Sequence, residues 1–180
     1  MKGKTKKLSL SRGKFAIVDA DFELLLNAWG RPCKYYYSTV GYAMTIRFGK
    51  IRYLHRDVFE RRHGTVPENM TVDHVDRDKL NNTSSNLRLA DHFEQRCNSV
   101  RSGKASSKFK GVHKYCERKK NGSVYTCWRV KLQARGVSKA RKFKFTPEGE
   151  IAAARQYDEW ARELHGEFAV LNFPNKDGRK

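Results

Sequence analysis

Acidic residues are scarce in this 180-residue chain: 19 Asp and Glu stand against 38 Lys and Arg, a formal net charge of +19. That excess is more than solubility requires, and a polyanion is the simplest partner. Long apolar runs are missing too. No segment approaches the roughly 20 apolar residues of a spanning helix, so nucleic acid is favoured over a membrane. Residues 1–14 carry Lys2, Lys4, Lys6, Lys7, Arg12 and Lys14, with no acid and no apolar stretch behind them. A secretory signal is therefore not expected; a flexible basic arm that lies along phosphates is. Cysteine is sparse: Cys33, Cys97, Cys116 and Cys127. None has the short spacing of a zinc knuckle, so reduced thiols in a cytoplasm are expected and structural zinc is not.

The length allows one ordinary domain or two small ones. Residues 15–70 hold short apolar and aromatic runs, such as 42–48 and 51–55, punctuated by Gly41, Gly49 and Gly64. These predict small antiparallel strands. Phe22, Leu25, Leu26 and Trp29 fit one face of a helix over 21–29. Residues 71–98 are polar and rich in His, Asp and Asn. Residues 99–107, mostly Ser, Gly, Lys and Arg, do not pack and predict a linker.

Beyond the linker the pattern is regular. Strands are predicted at 109–116, 123–133 and 141–145, with an Asn121-Gly122 turn between the first two. In the second strand Val124, Thr126, Trp128, Val130 and Leu132 take one face; Tyr125, Cys127, Arg129, Lys131 and Gln133 take the other. Thr146 and Pro147 mark a helix start, and Gly166 its end. Ile151, Ala154, Tyr157, Ala161 and Leu164 form its apolar stripe. Charge separates the two layers. Residues 99–146 hold 15 basic residues and one acid, Glu117, whereas 147–167 hold six acids and two basic residues. Phosphate is attracted to the sheet and repelled by the helix, so the sheet is the expected DNA-facing surface.

The chemistry concentrates at Val72-Asp73-His74 and the polar text after it. Hydrolysing a phosphodiester needs a nucleophile in line and relief of the charge that develops on the phosphate, which a divalent cation can give. A carboxylate suits a hard cation, and a neutral His takes a proton from water near pH 7. Asp73 and His74 offer both. Strand neighbours point to opposite faces, so both reach one site only if the strand ends or bulges there. The spacing of Asp73, Asp76 and Asp78 resembles part of a calcium loop, but its glycine and closing Glu are missing.

The wider text resembles the HNH (ββα-metal) nucleases, in their homing-endonuclease branch. The matching residues are Leu54-His55-Arg56, Val72-Asp73-His74, Leu80-Asn81-Asn82, Asn86-Leu87-Arg88 and Asn98, with similarity back through 15–19 and Gly41-Tyr42. This resemblance implies His74 as general base and Asp73 as ligand of a divalent metal, usually magnesium, with manganese the alternative. It implies Asn86 as the Asn that braces the loop and helps hold the His, and Arg56 and Arg88 as phosphate contacts. The family commonly places a second metal ligand, Asn or His, where this chain has Gln95, whose amide oxygen can ligate from a side chain one carbon longer.

Residues 107–174 resemble a second family, the AP2/ERF DNA-binding domain, through Phe109-Lys110-Gly111-Val112, Trp128-Arg129-Val130, Phe143, Phe145, Ala152-Ala153, Tyr157-Asp158, Ala161, Leu164-His165-Gly166 and Leu171-Asn172-Phe173-Pro174. That family lays its sheet in the major groove, which implies Lys110, His113, Arg129, Lys131 and Arg141 as DNA contacts. The expected class is α+β: a basic arm (1–14), a nuclease domain of small antiparallel strands and a ββα-metal core (15–98), a linker (99–107), a three-stranded antiparallel sheet packed on one helix (108–174) and a tail (175–180). The implied protein is a homing-type endonuclease, encoded by a phage or mobile element and acting as a monomer on double-stranded DNA in the cytoplasm of a bacterial host. A DNA-binding regulator that has lost catalysis is the competing reading.

Overall fold

The computed structural model describes residues 3–24, 26, 30–99 and 105–174. The chain divides into two compact units, 1–95 and 96–180. The first opens with β1 (Thr5–Ser9) antiparallel to β2 (Phe15–Asp19). Much of the expected flexible arm is thus a paired strand. Leu8 packs partly buried against the core and Leu10 is buried within it, while Lys4, Lys6 and Lys7 stay exposed; apolar burial orders the segment without hiding its charge. The helix expected over 21–29 does not form in the described residues. Phe22 closes a turn, its N–H donating to Asp19 O at 3.0 Å, and Leu26 bridges Pro32. Leu25 and residues 27–29 lie outside the described residues.

A three-stranded antiparallel sheet follows, β3 (Tyr36–Tyr37), β4 (Ala43–Arg47) and β5 (Lys50–Tyr53), with β4 central. From it the chain runs directly into α1 (Leu54–His63). Then β6 (Thr71–His74) pairs antiparallel with β7 (Leu87–Ala90), and α2 (His92–Asn98) begins. Asp91 caps α2: its Oδ1 accepts from Glu94 N–H, and Glu94 Oε2 accepts from Asp91 N–H, the reciprocal capping box. The core gathers Ala16 and Val18 of β2, Ala43 of β4, Leu54, Val58 and Phe59 of α1, and Val72 and Leu87 of the β6–β7 pair. One charge lies inside it. Asp57 is buried and accepts from Tyr35 Oη at 2.8 Å and from Arg52 Nη2 at 2.6 Å. A buried carboxylate is tolerated when paired in this way.

The loop after β6 is clamped to β2 from 60 residues away in sequence and more. Ile17 N–H donates to Leu80 O, Asn82 N–H to Ile17 O (both 2.7 Å), and Ser84 N–H to Asp19 Oδ2 at 2.9 Å. This is how the N-terminal hairpin fixes the polar loop.

The second unit holds β8 (Val112–Arg118), β9 (Val124–Ala134) and β10 (Val137–Lys144), antiparallel with β9 central, and α3 (Pro147–His165) against one face. The outer strands differ from expectation, β8 starting at Val112 and β10 at Val137. The Arg135-Gly136 turn is tight enough for β10 to pair from its first residue. Thr146 caps α3, its Oγ1 accepting from Gly149 N–H at 3.1 Å. Ala153, Ala154, Tyr157, Asp158 and Ala161 are its buried residues. Ile151, expected in that stripe, is instead exposed, one turn from the helix start and beyond the sheet's cover. Cys127, on the face that carries Arg129 and Lys131, is wholly buried. Asp158 ties the following segment down, its carboxylate accepting from Asn172 N–H (2.7 Å) and Phe173 N–H (2.8 Å). No described helix is long and apolar enough to cross a membrane.

Candidate functional site

Strand β6 ends at His74, meeting the condition that lets Asp73 and His74 serve one site. Asp73 faces its cross-strand partner Arg88, whose Nε and Nη2 lie 3.3 and 3.2 Å from Asp73 Oδ2. His74 Nε2 lies 3.3 Å from Asn82 Oδ1. Both residues are buried, and Tyr42 neighbours both. Its ring centroid is 6.0 Å from that of His74, and its phenol is raised by burial, then by the Asp73 charge.

The loop from 75 to 86 is held by side-chain to main-chain bonds. Asn86 accepts from Asp76 N–H (3.0 Å) and donates to Asp76 Oδ1 and Asn81 O (both 2.8 Å). Asp76 Oδ1 also accepts from Asp78 N–H, and Asp78 Oδ1 from Leu80 N–H. These Asx turns employ both carboxylates inside the loop, so the calcium-loop likeness has a local structural cause. Asn86 thus ties Asp76 and Asn81 together within the loop. Asn82, which meets His74, is wholly buried and oriented by its own amide N–H donating to Lys79 O.

A second imidazole packs against His74. His55, at the start of α1, packs edge-on to His74 with ring centroids 5.1 Å apart. Tyr42 and Tyr53 flank it at 5.2 and 5.5 Å. Burial, then the nearby His74 and Arg56, push the His55 imidazole down to about 3. Burial likewise lowers His74, against the opposing pull of Asn82 and of Asp76, Asp73 and Asp78. Both rings are neutral near pH 7 and keep a lone pair. Lys79 stands over the Tyr42 ring at 4.5 Å, its ammonium donating to Val40 O. His55, Tyr42 and Asn82 all lie in text that carried the nuclease resemblance, yet their convergence on His74 was not drawn from it. A His two residues from a strand end, in a chain with a second His at a strand end, is the signal that could have found the pair.

The remaining expected residues separate. Gln95 is exposed on α2. Arg56 is exposed and bonds Glu60 one turn along α1 at 2.8 Å. In the second unit, registry places His113, Arg129 and Lys142 side by side, and Lys131 opposite Ala140, on the face away from α3. The Tyr115 ring there receives Arg129 at 4.9 Å and Lys142 at 5.1 Å. Arg141 takes the opposite face, where its guanidinium donates to Gln156 of α3 at 2.7 Å; a strand alternates, and Lys142, not Arg141, shares Arg129's side. Lys110 is likewise not on the sheet face. Its ammonium donates to Cys97 O (2.8 Å) and Ser99 O (2.6 Å), and its main chain is held by Asn172.

Among the described residues no three His, Cys, Asp or Glu side chains gather around one point as a metal cage. Magnesium seldom uses one: it keeps several waters and takes one or two carboxylates plus substrate phosphates. Asp73 suits that role. His55 Nδ1, buried and meeting no hydrogen-bond partner among the described residues, marks polar capacity beside it that the fold leaves open.

A model of the HNH endonuclease family matches residues 52–96, the span that holds His55, Asp73, His74, Asn82, Asn86 and Gln95. A protein of Acanthamoeba polyphaga mimivirus, named as an uncharacterized HNH endonuclease, is 36% identical over 166 residues, 92% of this chain and 78% of that one. Protein 3.8 of Escherichia phage T7 is 32% identical over 127 residues, 68% of this chain and 93% of that one. No solved structure matches.

Proposed function

Given that the chain belongs to the HNH endonuclease family, and is therefore a nuclease, we propose that it hydrolyses phosphodiester bonds of double-stranded DNA at Asp73 and His74, as a homing-type enzyme aimed by an AP2-like second unit. HNH nucleases generally use a divalent metal ion. The observation that carries the reading is the buried pair at the end of β6, a carboxylate beside an imidazole that burial keeps neutral.

The chemistry follows from the contacts. With Nε2 donating to Asn82 Oδ1, His74 keeps its lone pair on Nδ1, the tautomer a base needs. His74 Nδ1 takes a proton from water as the water oxygen bonds to phosphorus and the bridging P–O bond opposite breaks. Asp73 would hold the cation, magnesium or manganese, and the cation when bound relieves the charge on the phosphate oxygens. Arg88 holds the Asp73 carboxylate in place, and Asn86 holds the loop that carries Asn82. Gln95, exposed on α2, stands at the family-type position for a second ligand.

Arg129, His113 and Lys131 on the outer sheet face are the proposed DNA contacts of the second unit, and Arg56 a phosphate contact of the first. One site in one chain cuts one strand, so a monomer nicks. Relatives from a phage and a giant virus favour DNA in an infected or invaded cell as the setting. Exposed Gln95 is what favours the second reading, a DNA-binding regulator without catalysis. Plasmid incubated with magnesium or with EDTA separates the two. Nicking that needs magnesium, and that His74→Ala reduces by about a thousandfold or more while DNA binding persists, is the expected result. An equally active His74→Ala enzyme would refute the assignment.

A further inference from the structure

The β4–β5 hairpin turns through two residues, Phe48 and Gly49, both at positive φ (50° and 73°), and closes on the Arg47–Lys50 pair. Two positive φ values make a type I′ turn, which favours Asn-Gly. A large aromatic residue in that region is an outlier, and such outliers mark sites where something other than local stability sets the residue. Phe48 is 69% exposed, so packing does not explain it either. Next to it the cross-strand neighbours Ile46 and Ile51 are 63% and 58% exposed. Cations flank this apolar tip. The Arg47 guanidinium lies 5.0 Å from the Phe48 ring, its Nε meeting no hydrogen-bond partner among the described residues, and Lys50 is exposed. From Leu24 to Arg56 the chain has no acid at all.

An exposed aromatic tip between two cations, on a run without negative charge, complements duplex DNA and not an average protein surface. We propose that the β4–β5 hairpin is a wedge for duplex DNA, Phe48 entering a base step from the minor groove while Arg47 and Lys50 take the phosphates on either side. Apolar wedges of this kind unstack a step and kink the duplex, with cations holding the flanks. The inference rests on the reading of the protein as a DNA nuclease and adds where it deforms its substrate. Strand β5 leads from the tip into Tyr53 and His55 of the site. At about 3.4 Å per residue, the strand from Lys50 to Tyr53 spans roughly 10 Å. The wedge thereby fixes the duplex against sliding and presents one bent phosphate to Asp73 and His74.

The test uses the full chain, in EDTA, on a duplex selected for tight binding, with 2-aminopurine placed in turn at every adenine. The expected result is a fluorescence rise confined to one step. Phe48→Asn abolishes that rise, since Asn accepts the positive φ and keeps the turn but cannot wedge. Phe48→Leu retains it. With magnesium, Phe48→Asn cuts the intact duplex roughly tenfold more slowly, and a mismatch at the same step restores cutting to within about twofold of the parent. A rise that Phe48→Asn leaves unchanged, or no rise at any position while DNA is bound, overturns the wedge. So does a drop in sedimenting mass on Phe48→Asn, which would assign the tip to a second copy of this chain. A Phe48-dependent rise without magnesium-dependent nicking sinks the nuclease reading and leaves the wedge standing, so the two failures are distinct.

Discussion

Burial governs both imidazoles of the candidate site, and it has two consequences at the scale of single residues. An unfolded His binds its proton near pH 6.5. Folded His55, desolvated and beside His74, does so only at about 3. Between those values the unfolded chain carries the extra proton, so acid favours unfolding and stability rises with pH through the window. Denaturant melts should show a less stable protein at pH 5 than at pH 7, and His55→Gln should narrow the gap. A gap of unchanged width would remove His55 as its source. The second consequence concerns the rate. His74 is lowered in the same direction, so the acid limb of the cleavage profile should have its midpoint below the ordinary His value; a midpoint above it would remove His74 as the titrating base. In the proposed mechanism Asn82 acts through His74 as a positioning residue, its amide oxygen 3.3 Å from His74 Nε2.

At the scale of elements, the sheet and α3 of the second unit depend on one close approach. Gly111 has φ of +77°, and a Cβ there would enter the ring of Tyr157, the largest buried side chain of α3. Tyr157 has no room to yield, lying beneath the sheet with burial, then the Cys97 and Asp158 charges, raising its phenol. Gly111→Ala should therefore cost about 3 kcal/mol, combining overpacking with a strained backbone, and a thermal melt would read it. A variant within about 0.5 kcal/mol of the parent would mean that β8 does not approach α3 as described. The first unit packs α1 on shorter strands than those beneath α3. Its elements are small, and hydrogen bonds from β2 to the loop after β6 do the positioning that a large core does elsewhere.

For the whole molecule, net charge is the dominant fact. A chain at +19 binds polyanions with a steep salt dependence, each phosphate contact contributing about −0.9 to the slope of log K against log salt. Arg129→Ala should weaken duplex binding and reduce that slope by about 1, whereas Arg141→Ala, whose side chain bonds Gln156 beside α3, should leave the slope nearly intact. Equal losses from the two would contradict the assignment of the outer face to DNA.

Local signals in the sequence were enough for the order of the second unit's elements, though not for where β8 and β10 start. The Thr146-Pro147 start and Gly166 end of α3, the Asn121-Gly122 turn and the alternation along β9 each act within a few residues, and the charge split between the layers is a sum over them. The Asp73-His74 pair and Asn86 stand out in the sequence for the same reason, being carried by one short stretch of text. What surrounds His74 does not. His55, Tyr42 and Asn82 reach it from three separate segments, and the loop that delivers Asn82 hangs on β2 through bonds such as Ser84 to Asp19, 65 residues apart. The pairing of β1 depends on burying Leu8 and Leu10, which no local rule separates from a basic arm. Arg141 and Lys142 trade places through registry alone, because a one-residue shift along a strand reverses every side chain. So the chain's own text determined which chemistry is present and on which strand, turn or helix end. The tertiary structure decided which groups meet, since distant contacts follow from shared burial and strand register that no stretch of residues specifies by itself.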